Sequence, residues 1–169
     1  MTGGSSTAPP PSQAQGRRTL RVAPGVTVPY PVPTSAAATA IGRANRRRDS
    51  KAEVALRSVL HRRGLRFRKD HPVRMAGGRV RVDICFTRAR VAVFVDGCFW
   101  HVCPLHHQPP KRNTDYWAPK LAANVARDRR NDAGLVGDGW LVVRVWEHEA
   151  VDEAADRIEI AVRSASRER

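Results

Sequence analysis

The chain contains no apolar run long enough to span a bilayer, which excludes a helical membrane protein. Its first residues are rich in Gly, Ser, Pro and Gln and lack an apolar core, so we predict no secretory signal peptide and expect a cytoplasmic location. Only three cysteines occur, Cys85, Cys98 and Cys103. This odd number, in a chain expected to be cytoplasmic, argues against a framework of disulfide bonds. The close pair Cys98 and Cys103 is more typical of metal binding.

Acidic residues are scarce relative to basic ones. The chain has 16 Asp and Glu against 30 Lys and Arg, a formal net charge of +14. This excess predicts a polyanionic partner, for which nucleic acid is the first candidate, although an acidic protein or an anionic membrane surface would match the same charge. The 169 residues are enough for one domain and a tail. Hydrophobic residues make up 41% of them, which is enough to form a core.

The N-terminal segment differs in composition from the rest of the chain. Residues 1–42 are rich in Pro, Ala, Gly and Ser and contain Arg17, Arg18 and Arg21 but no acid. We predict a disordered basic arm, because such a segment buries too little apolar surface to offset its ordering entropy. It would either contact DNA or serve only as a solubilising extension. Residues 43–169 are predicted to form the folded domain.

Periodicity predicts a mixed α/β fold, with a small mixed central sheet flanked by helices. The capping-box pattern from Ser50 to Glu53 predicts a helix that ends near Gly64. A later helix tolerates Pro119 only in its first turn. The strand Trp140–His148 is apolar enough to be buried on both faces. The other expected elements are strands at Leu65–Arg68, Val80–Phe86 and Arg90–Asp96, and a last helix over about Val151–Ala165.

Cysteine and histidine are concentrated in the segment VDGCFWHVCPLHH. Cys98, Cys103 and His106 are ligands of the kind that Zn2+ prefers. His148 is the best fourth candidate, because it follows a strand that could pair with the strand ending at Asp96. Four ligands would make the site structural. His101 and His107 compete for the histidine positions, and the alternative is packed thiols with surface histidines.

Three carboxylates are candidates for a second metal site. Asp83 lies within one apolar strand and Asp96 ends the next. In a hairpin both would reach one rim of the sheet, where oxygen pairs bind the Mg2+ that assists phosphodiester hydrolysis. Glu53 would add a third carboxylate or act only as the capping glutamate. Asp96 precedes Gly97 and could be a turn residue, whereas a mid-strand Asp83 costs free energy unless it is paired or liganded.

Asp128 is predicted to point toward the core, because it shares a helical face with Leu121 and Val125. A histidine partner would be oriented by Asp128 and made more basic. An arginine partner would instead form an internal salt bridge.

Aromatic residues make up only 6% of the chain, yet several lie in or near the cysteine-rich segment. Apolar side chains there could enter a base stack or form a small core beneath the loop. These residues are Phe99, Trp100, Tyr116 and Trp117. Candidates for phosphate contacts, any one of which is more simply explained as solvated charge, are Arg46, Arg47, Arg48, Lys111 and Arg112.

From about Arg48 to Glu147 the chain closely resembles the very-short-patch-repair (Vsr) endonuclease family. The segments VDGCFWHVCP, NTDYWAPKL, NVARDRR and GWLVVRVWE occur in order and with matching gaps. The resemblance implies a fold related to type II restriction endonucleases and a structural zinc. It implies a Mg2+-dependent nick 5′ to the thymine of a T:G mismatch formed by deamination of 5-methylcytosine. A monomer acting on double-stranded DNA, nucleoid-associated and linked to a cytosine-5 DNA methyltransferase, is expected.

The resemblance also implies roles for individual residues. Asp83 matches the family's magnesium carboxylate, and His101 matches the catalytic histidine that activates or positions water. Asp128 matches the aspartate of the RDRR segment, Glu53 a helix glutamate near the metals, and Cys98 the first zinc ligand. The aromatic residues that match those inserted beside the mismatch are Phe99, Trp100 and Trp117.

The chain departs from the family pattern at the metal sites. Val95 and Asp96 stand where the family has Thr and His. The Val95 carbonyl would still help to hold Mg2+, and Asp96 would replace an imidazole by a second metal carboxylate. Two thiolates and two imidazoles remain at the zinc site, because Cys103-x2-His106 replaces His-x-Cys and His148 replaces the last cysteine. Because these changes bear on mismatch specificity, the alternatives are a restriction or defence nuclease and a non-catalytic zinc-stabilised DNA-binding protein.

Overall fold

The computed structural model of the chain describes residues 18–31 and 49–167. None of the helices in these two ranges has the length and apolar character needed to cross a membrane. The strands are β1 (Thr19–Ala23), β2 (Val26–Pro29), β3 (Arg68–Met75), β4 (Gly78–Phe86), β5 (Val91–Asp96) and β6 (Leu141–Trp146), and the helices are α1 (Lys51–Arg62), α2 (Thr114–Gly137) and α3 (Val151–Arg167).

The central sheet has four strands in the order β3-β4-β5-β6. β3, β4 and β5 pair antiparallel, whereas β5 and β6 pair parallel. One face packs against α1 and α3 through residues such as Leu60 and Ile158, and the other is covered by Leu135 of α2. This arrangement confirms the predicted mixed α/β class, with a mixed sheet between helices.

Two of the predicted strands differ from the observed ones. The strand expected at Leu65–Arg68 is wrong, because β3 begins only at Arg68 and continues to Met75. Charged residues and Pro72 obscure its pattern, but proline is tolerated on an edge strand. β6 is the other edge, and Leu141 is 45% exposed. The prediction that this strand is buried on both faces is therefore wrong.

The three helices predicted around the sheet all form, with one difference in α2. α1 has Ser50 as its N-cap, as the capping box predicts. α2 begins at Thr114, so Pro119 lies in its second turn and not in the first. Since proline has no N–H, it removes only one intrahelical hydrogen bond there. The helix continues to Gly137 and carries Asp128 beneath the loop that follows β5.

Residues 18–31 of the N-terminal segment have a defined structure. β1 and β2 form an antiparallel hairpin around a turn with Gly25 at φ 72°, and β1 packs along α2. The Lys120 ammonium of α2 lies 5.0 Å from the centre of the Tyr30 ring. The predicted disorder is therefore wrong for residues 18–31, because contacts with α2 supply the burial that the segment lacks by itself. The remainder of residues 1–42, and the proposed boundary at residue 43, lie outside the described residues.

Candidate active site and metal centre

Asp83 links the two central strands at the candidate active site. Its Oδ2 accepts a hydrogen bond of 2.9 Å from the backbone N–H of Val95 on β5. Burial, together with the negative charges of Glu53 and Asp96, raises the pKa of Asp83 to about 6, against the opposing effects of the Val95 hydrogen bond and the charge of His101. The structure thus brings the three predicted carboxylates into one electrostatic cluster. A cation bound among these carboxylates would favour their ionised forms.

Glu53 has a capping role as well as a place near Asp83. Its backbone N–H donates to Ser50 Oγ at 3.1 Å, and its Oε2 accepts from the N–H of Asp49 at 3.1 Å. Its side chain also lies 3.7 Å from Arg57. Both interpretations of Glu53 from the sequence therefore have a structural basis, because it caps α1 and is also buried next to the other carboxylates.

Asp96, the last residue of β5, is almost completely buried, with 3% of its surface exposed. Its Oδ2 accepts a hydrogen bond of 2.6 Å from Arg144 Nη1, and its Oδ1 lies 3.4 Å from His101 Nδ1. Arg144 was missed from the sequence, although an arginine inside an apolar strand is a signal that it has a buried anionic partner. Asp96 is therefore held by ionic contacts with Arg144 and His101, which a residue that only forms a turn would not need.

His101 and Asp128 form a close pair. His101 Nδ1 lies 2.6 Å from Asp128 Oδ2, and the other carboxylate oxygen lies 3.2 Å from Arg127 Nη2. Burial opposes ionisation of Asp128, but the hydrogen bond and charge of His101 and the charges of Arg127 and Arg144 outweigh it and lower its pKa. Both predicted kinds of partner, histidine and arginine, are thus present. The imidazole is oriented, and its side chain retains 22% exposure.

The four predicted zinc ligands form one cluster. One ligand atom from each of Cys98, Cys103, His106 and His148 lies within 4.8 Å of the others. Cys98 Sγ is 3.0 Å and Cys103 Sγ is 3.8 Å from His148 Nδ1. Burial, the neighbouring Cys103 and then Glu147 raise the pKa of the Cys98 thiol to about 11. A cation placed among these groups would favour the thiolates.

Strand pairing explains how residues far apart in the chain meet at this cluster. β5 and β6 are parallel, and Asp96 is in register with Trp146. Cys98 and His148 each follow two residues later, so they emerge side by side. Glu147, which was not predicted as a site residue, accepts the Cys98 N–H through Oε1 at 2.7 Å and fixes the start of the loop.

The other histidines and the third cysteine lie outside the cluster of predicted zinc ligands. His107 has a buried Nδ1 for which the described part of the chain provides no hydrogen-bond partner, and its ring centre lies 6.1 Å from that of Phe99. His101 is paired with Asp128, as described above. Cys85 is fully buried within the core of the sheet, as expected for a small core residue. The structure therefore selects His106, and neither His101 nor His107, as the histidine of the loop cluster.

The aromatic residues pack against one another. The ring centres of Phe99, Trp100 and Trp117 are separated by 5.1, 5.4 and 5.6 Å, with edge-to-face geometry. Each is only partly buried, so the group forms a small core beneath the loop and also presents a surface. Tyr116 extends the group on α2. Lys111 and Arg112 are exposed just before α2, whereas Arg46, Arg47 and Arg48 lie outside the described residues.

Comparisons with known proteins find one matching family model and several relatives. A family model described as DNA mismatch endonuclease Vsr matches residues 32–107. The chain is 51% identical over 126 residues to the type II nicking enzyme V.NaeI of Lentzea aerocolonigenes, a match that covers 74% of this chain and 76% of the relative. It is 44% identical over 112 residues to the type II nicking enzyme V.XorIIP of Xanthomonas oryzae pv. oryzae, covering 65% and 79%. It is 38% identical over 105 residues to the DNA mismatch endonuclease Vsr of Escherichia coli K12, covering 59% and 62%.

Proposed function

Because the chain belongs to the Vsr family of DNA endonucleases, we propose that it is a Mg2+-dependent enzyme that nicks duplex DNA at T:G mismatches left by deamination of 5-methylcytosine. Its relatives are named as nicking or mismatch endonucleases, which supports strand nicking as the reaction. The observation that carries the proposal is the position of the His101–Asp128 pair beside the carboxylate cluster of Asp83 and Asp96.

The residues at the end of β5 fit a magnesium site. Hard oxygen donors are available from the carboxylates of Asp83 and Asp96 and from the backbone carbonyl of Val95, with Glu53 close behind them. The charges of Glu53 and Asp96 raise the pKa of Asp83, an effect that a divalent cation would oppose. When bound, Mg2+ supplies charge stabilisation for the phosphate that is attacked.

His101 is the proposed general base or water-positioning residue. Asp128 accepts from Nδ1, which leaves Nε2 with a lone pair for a proton from water. The exposed fraction of His101 gives that nitrogen a route to solvent and substrate. Asp128 orients the ring and stabilises the positive charge that forms on it.

The proposed structural zinc site consists of Cys98, Cys103, His106 and His148. Two thiols and two imidazoles match the donor set of a closed tetrahedral zinc site, and their ligand atoms are already clustered. When bound, Zn2+ would tie the loop after β5 to the end of β6. The loop carries His101, Phe99 and Trp100, so its rigidity would serve catalysis.

The proposed DNA-facing surface contains the partly exposed group of Phe99, Trp100 and Trp117. Aromatic side chains that enter a base stack can kink the duplex at a weakly paired step. The net charge of +14 favours association with phosphates, for which Lys111, Arg112 and Arg48 are candidates. We propose that residues 43–169 form the endonuclease domain and act as a monomer in the cytoplasm. A neighbouring cytosine-5 methyltransferase gene would support the repair role.

A restriction-type or defence nuclease without mismatch specificity is the second candidate. Asp96 gives the site two carboxylates near one metal position, and several relatives are named type II nicking enzymes. A DNA-binding protein without catalysis is disfavoured by Asp83 and Asp96, because buried carboxylates repel phosphates unless a cation lies between them.

The test is cleavage of otherwise identical T:G, T:A and C:G duplexes by the full chain with Mg2+, and by Asp83→Ala. We expect nicking of the T:G duplex that depends on Mg2+ and is lost in Asp83→Ala. Equal nicking of all three duplexes would replace the repair role by the restriction-type role. Binding without nicking of any duplex would favour the non-catalytic alternative, and full activity of Asp83→Ala would contradict the metal assignment.

A further inference from the structure

Arg144 of β6 contacts three carboxylates, one at the end of β5 and two on α2. Its Nη1 donates to Asp96 Oδ2 at 2.6 Å, and its Nε and Nη2 donate to the two oxygens of Asp132 on α2 at 2.8 and 3.0 Å. Nη2 also lies 3.8 Å from Asp128. The guanidinium is centred 5.0 Å from the Phe94 ring. Asp132 and Phe94 therefore fix its orientation from two sides.

The ionic partners of Asp96 within the described part of the chain are Arg144 and His101. A buried carboxylate is costly unless a cation is held next to it. Burial disfavours the charged form of Arg144, but Asp132 and Asp96 outweigh this effect and raise its pKa above the ordinary value. The guanidinium is thus a permanent charge at the back of the site.

We propose that Arg144 is a positioning residue for the nicking reaction, and this inference rests on the proposed function. It holds the Asp96 carboxylate in place and, through Asp96, positions the imidazole of His101. Each of its three guanidinium nitrogens already donates to a carboxylate and the side chain is only 25% exposed, so we assign it to the internal network and not to a phosphate contact. Its loss should change the rate of the chemical step and leave DNA affinity nearly unaffected.

The first experiment separates kcat from KM for nicking of a T:G duplex. Displacement of reacting groups by about 1 Å costs roughly 100-fold in rate, so we expect Arg144→Met to lower kcat by about 100-fold with KM within about threefold. Arg144→Lys keeps the charge but not the planar fork, and should recover about tenfold. Arg163→Met is the matched control, because Arg163 is an exposed arginine of α3 that pairs with Glu159.

The second experiment is a double-mutant cycle with Asp96→Asn. If Arg144 acts through Asp96, the double variant Asp96→Asn/Arg144→Met should nick no more slowly than Asp96→Asn alone. Effects that multiply would show that Arg144 acts independently, and would overturn the proposal. A rise in KM at unchanged kcat would do the same, because it would indicate a DNA contact.

A third measurement does not depend on activity. The ring nitrogen resonances of His101, observed by 15N NMR, should move in Arg144→Met and in Asp132→Asn but not in Arg163→Met. If Arg144→Met does not fold, Asp132→Asn and Arg144→Lys carry the test, since both retain a cation at residue 144. Unchanged His101 resonances would overturn the positioning role. A wild type that nicks no duplex would instead overturn the proposed function, and the NMR result would still decide whether Arg144 positions His101.

Discussion

His101 Nδ1 lies 2.6 Å from Asp128 Oδ2, and this contact joins the loop after β5 to the middle of α2. The loop supplies the imidazole, whereas the helix supplies the group that orients it. Because Asp128 is held in turn by Arg127 and Arg144, the pair is part of a wider charge network. The arrangement accounts for an ionised aspartate on the inner face of a helix.

Replacement of Asp128 by Asn should therefore damage catalysis more than folding. The amide cannot stabilise a protonated imidazole and permits the other tautomer of His101, so we expect the nicking rate to fall by about 100-fold. Single-turnover nicking of a T:G duplex measures this change. Asp115→Asn, on the exposed first turn of the same helix, is the control. Equal rates for the two variants would contradict a role for Asp128.

Asp83 should destabilise the protein at neutral pH when no metal is added. Its pKa rises from 3.8 to about 6 on folding, so the folded state holds its proton more tightly than the unfolded state. The cost is absent below pH 3.8, grows as the pH rises and is complete above about 6. A shift of this size corresponds to at most about 3 kcal/mol.

Asp83→Asn should accordingly raise the free energy of unfolding in EDTA at pH 7.5, and the gain should shrink as the pH falls toward 4. The Asn oxygen can still accept from the Val95 N–H, so the hydrogen bond is retained. Urea denaturation at several pH values measures the difference between variant and wild type. A gain that is the same at every pH, or a loss at pH 7.5, would contradict the assigned pKa.

His148 should be required for zinc. We expect His148→Ala to lower the zinc affinity by at least about 100-fold and to lower the melting temperature, because a tetrahedral site loses one of its four ligands. His107→Ala is a matched control, since His107 lies on the loop that carries Cys98 and Cys103 but outside the ligand cluster. Metal analysis after dialysis against a competing chelator reports both variants. Zinc loss in His107→Ala but not in His148→Ala would reverse the assignment.

Trp117 should contribute to recognition of the mismatch. Trp117→Ala removes a ring from the mutually packed aromatic group, and we expect it to lower the T:G preference in kcat/KM by about tenfold, in line with the stacking of one base. Trp117→Phe keeps an aromatic surface and should lose less. If both variants retain the wild-type preference and stability, the aromatic group has no part in recognition.

Local sequence patterns predicted the parts of the fold in which pattern and tertiary environment agree. The capping box at Ser50 and the apolar runs of β4 and β5 are such cases. β3 was misplaced because an edge strand can be charged and can contain proline. The β1–β2 hairpin was missed because its order depends on packing against α2, which composition does not show.

The sequence likewise predicted some residues of the site and missed others. The spacing of Cys98, Cys103 and His106 indicated a metal cluster, and the resemblance to the Vsr family, now confirmed, supplied the residues that surround it. The spacing of residues in the sequence could not identify Arg144. Its role depends on the register of β5 with β6 and on the contact with Asp132 of α2. Its only local signal was a charge in an apolar strand.

We propose that this site nicks DNA at T:G mismatches. The most direct measurement is the ratio of kcat/KM for a T:G duplex to that for the corresponding C:G duplex, with Mg2+ and the full chain. We expect a ratio of about 5 to 150, since discrimination at one base pair is worth about 1–3 kcal/mol and unstacking is easiest at a mismatch. A ratio near one would contradict mismatch repair and leave a nicking enzyme without mismatch specificity.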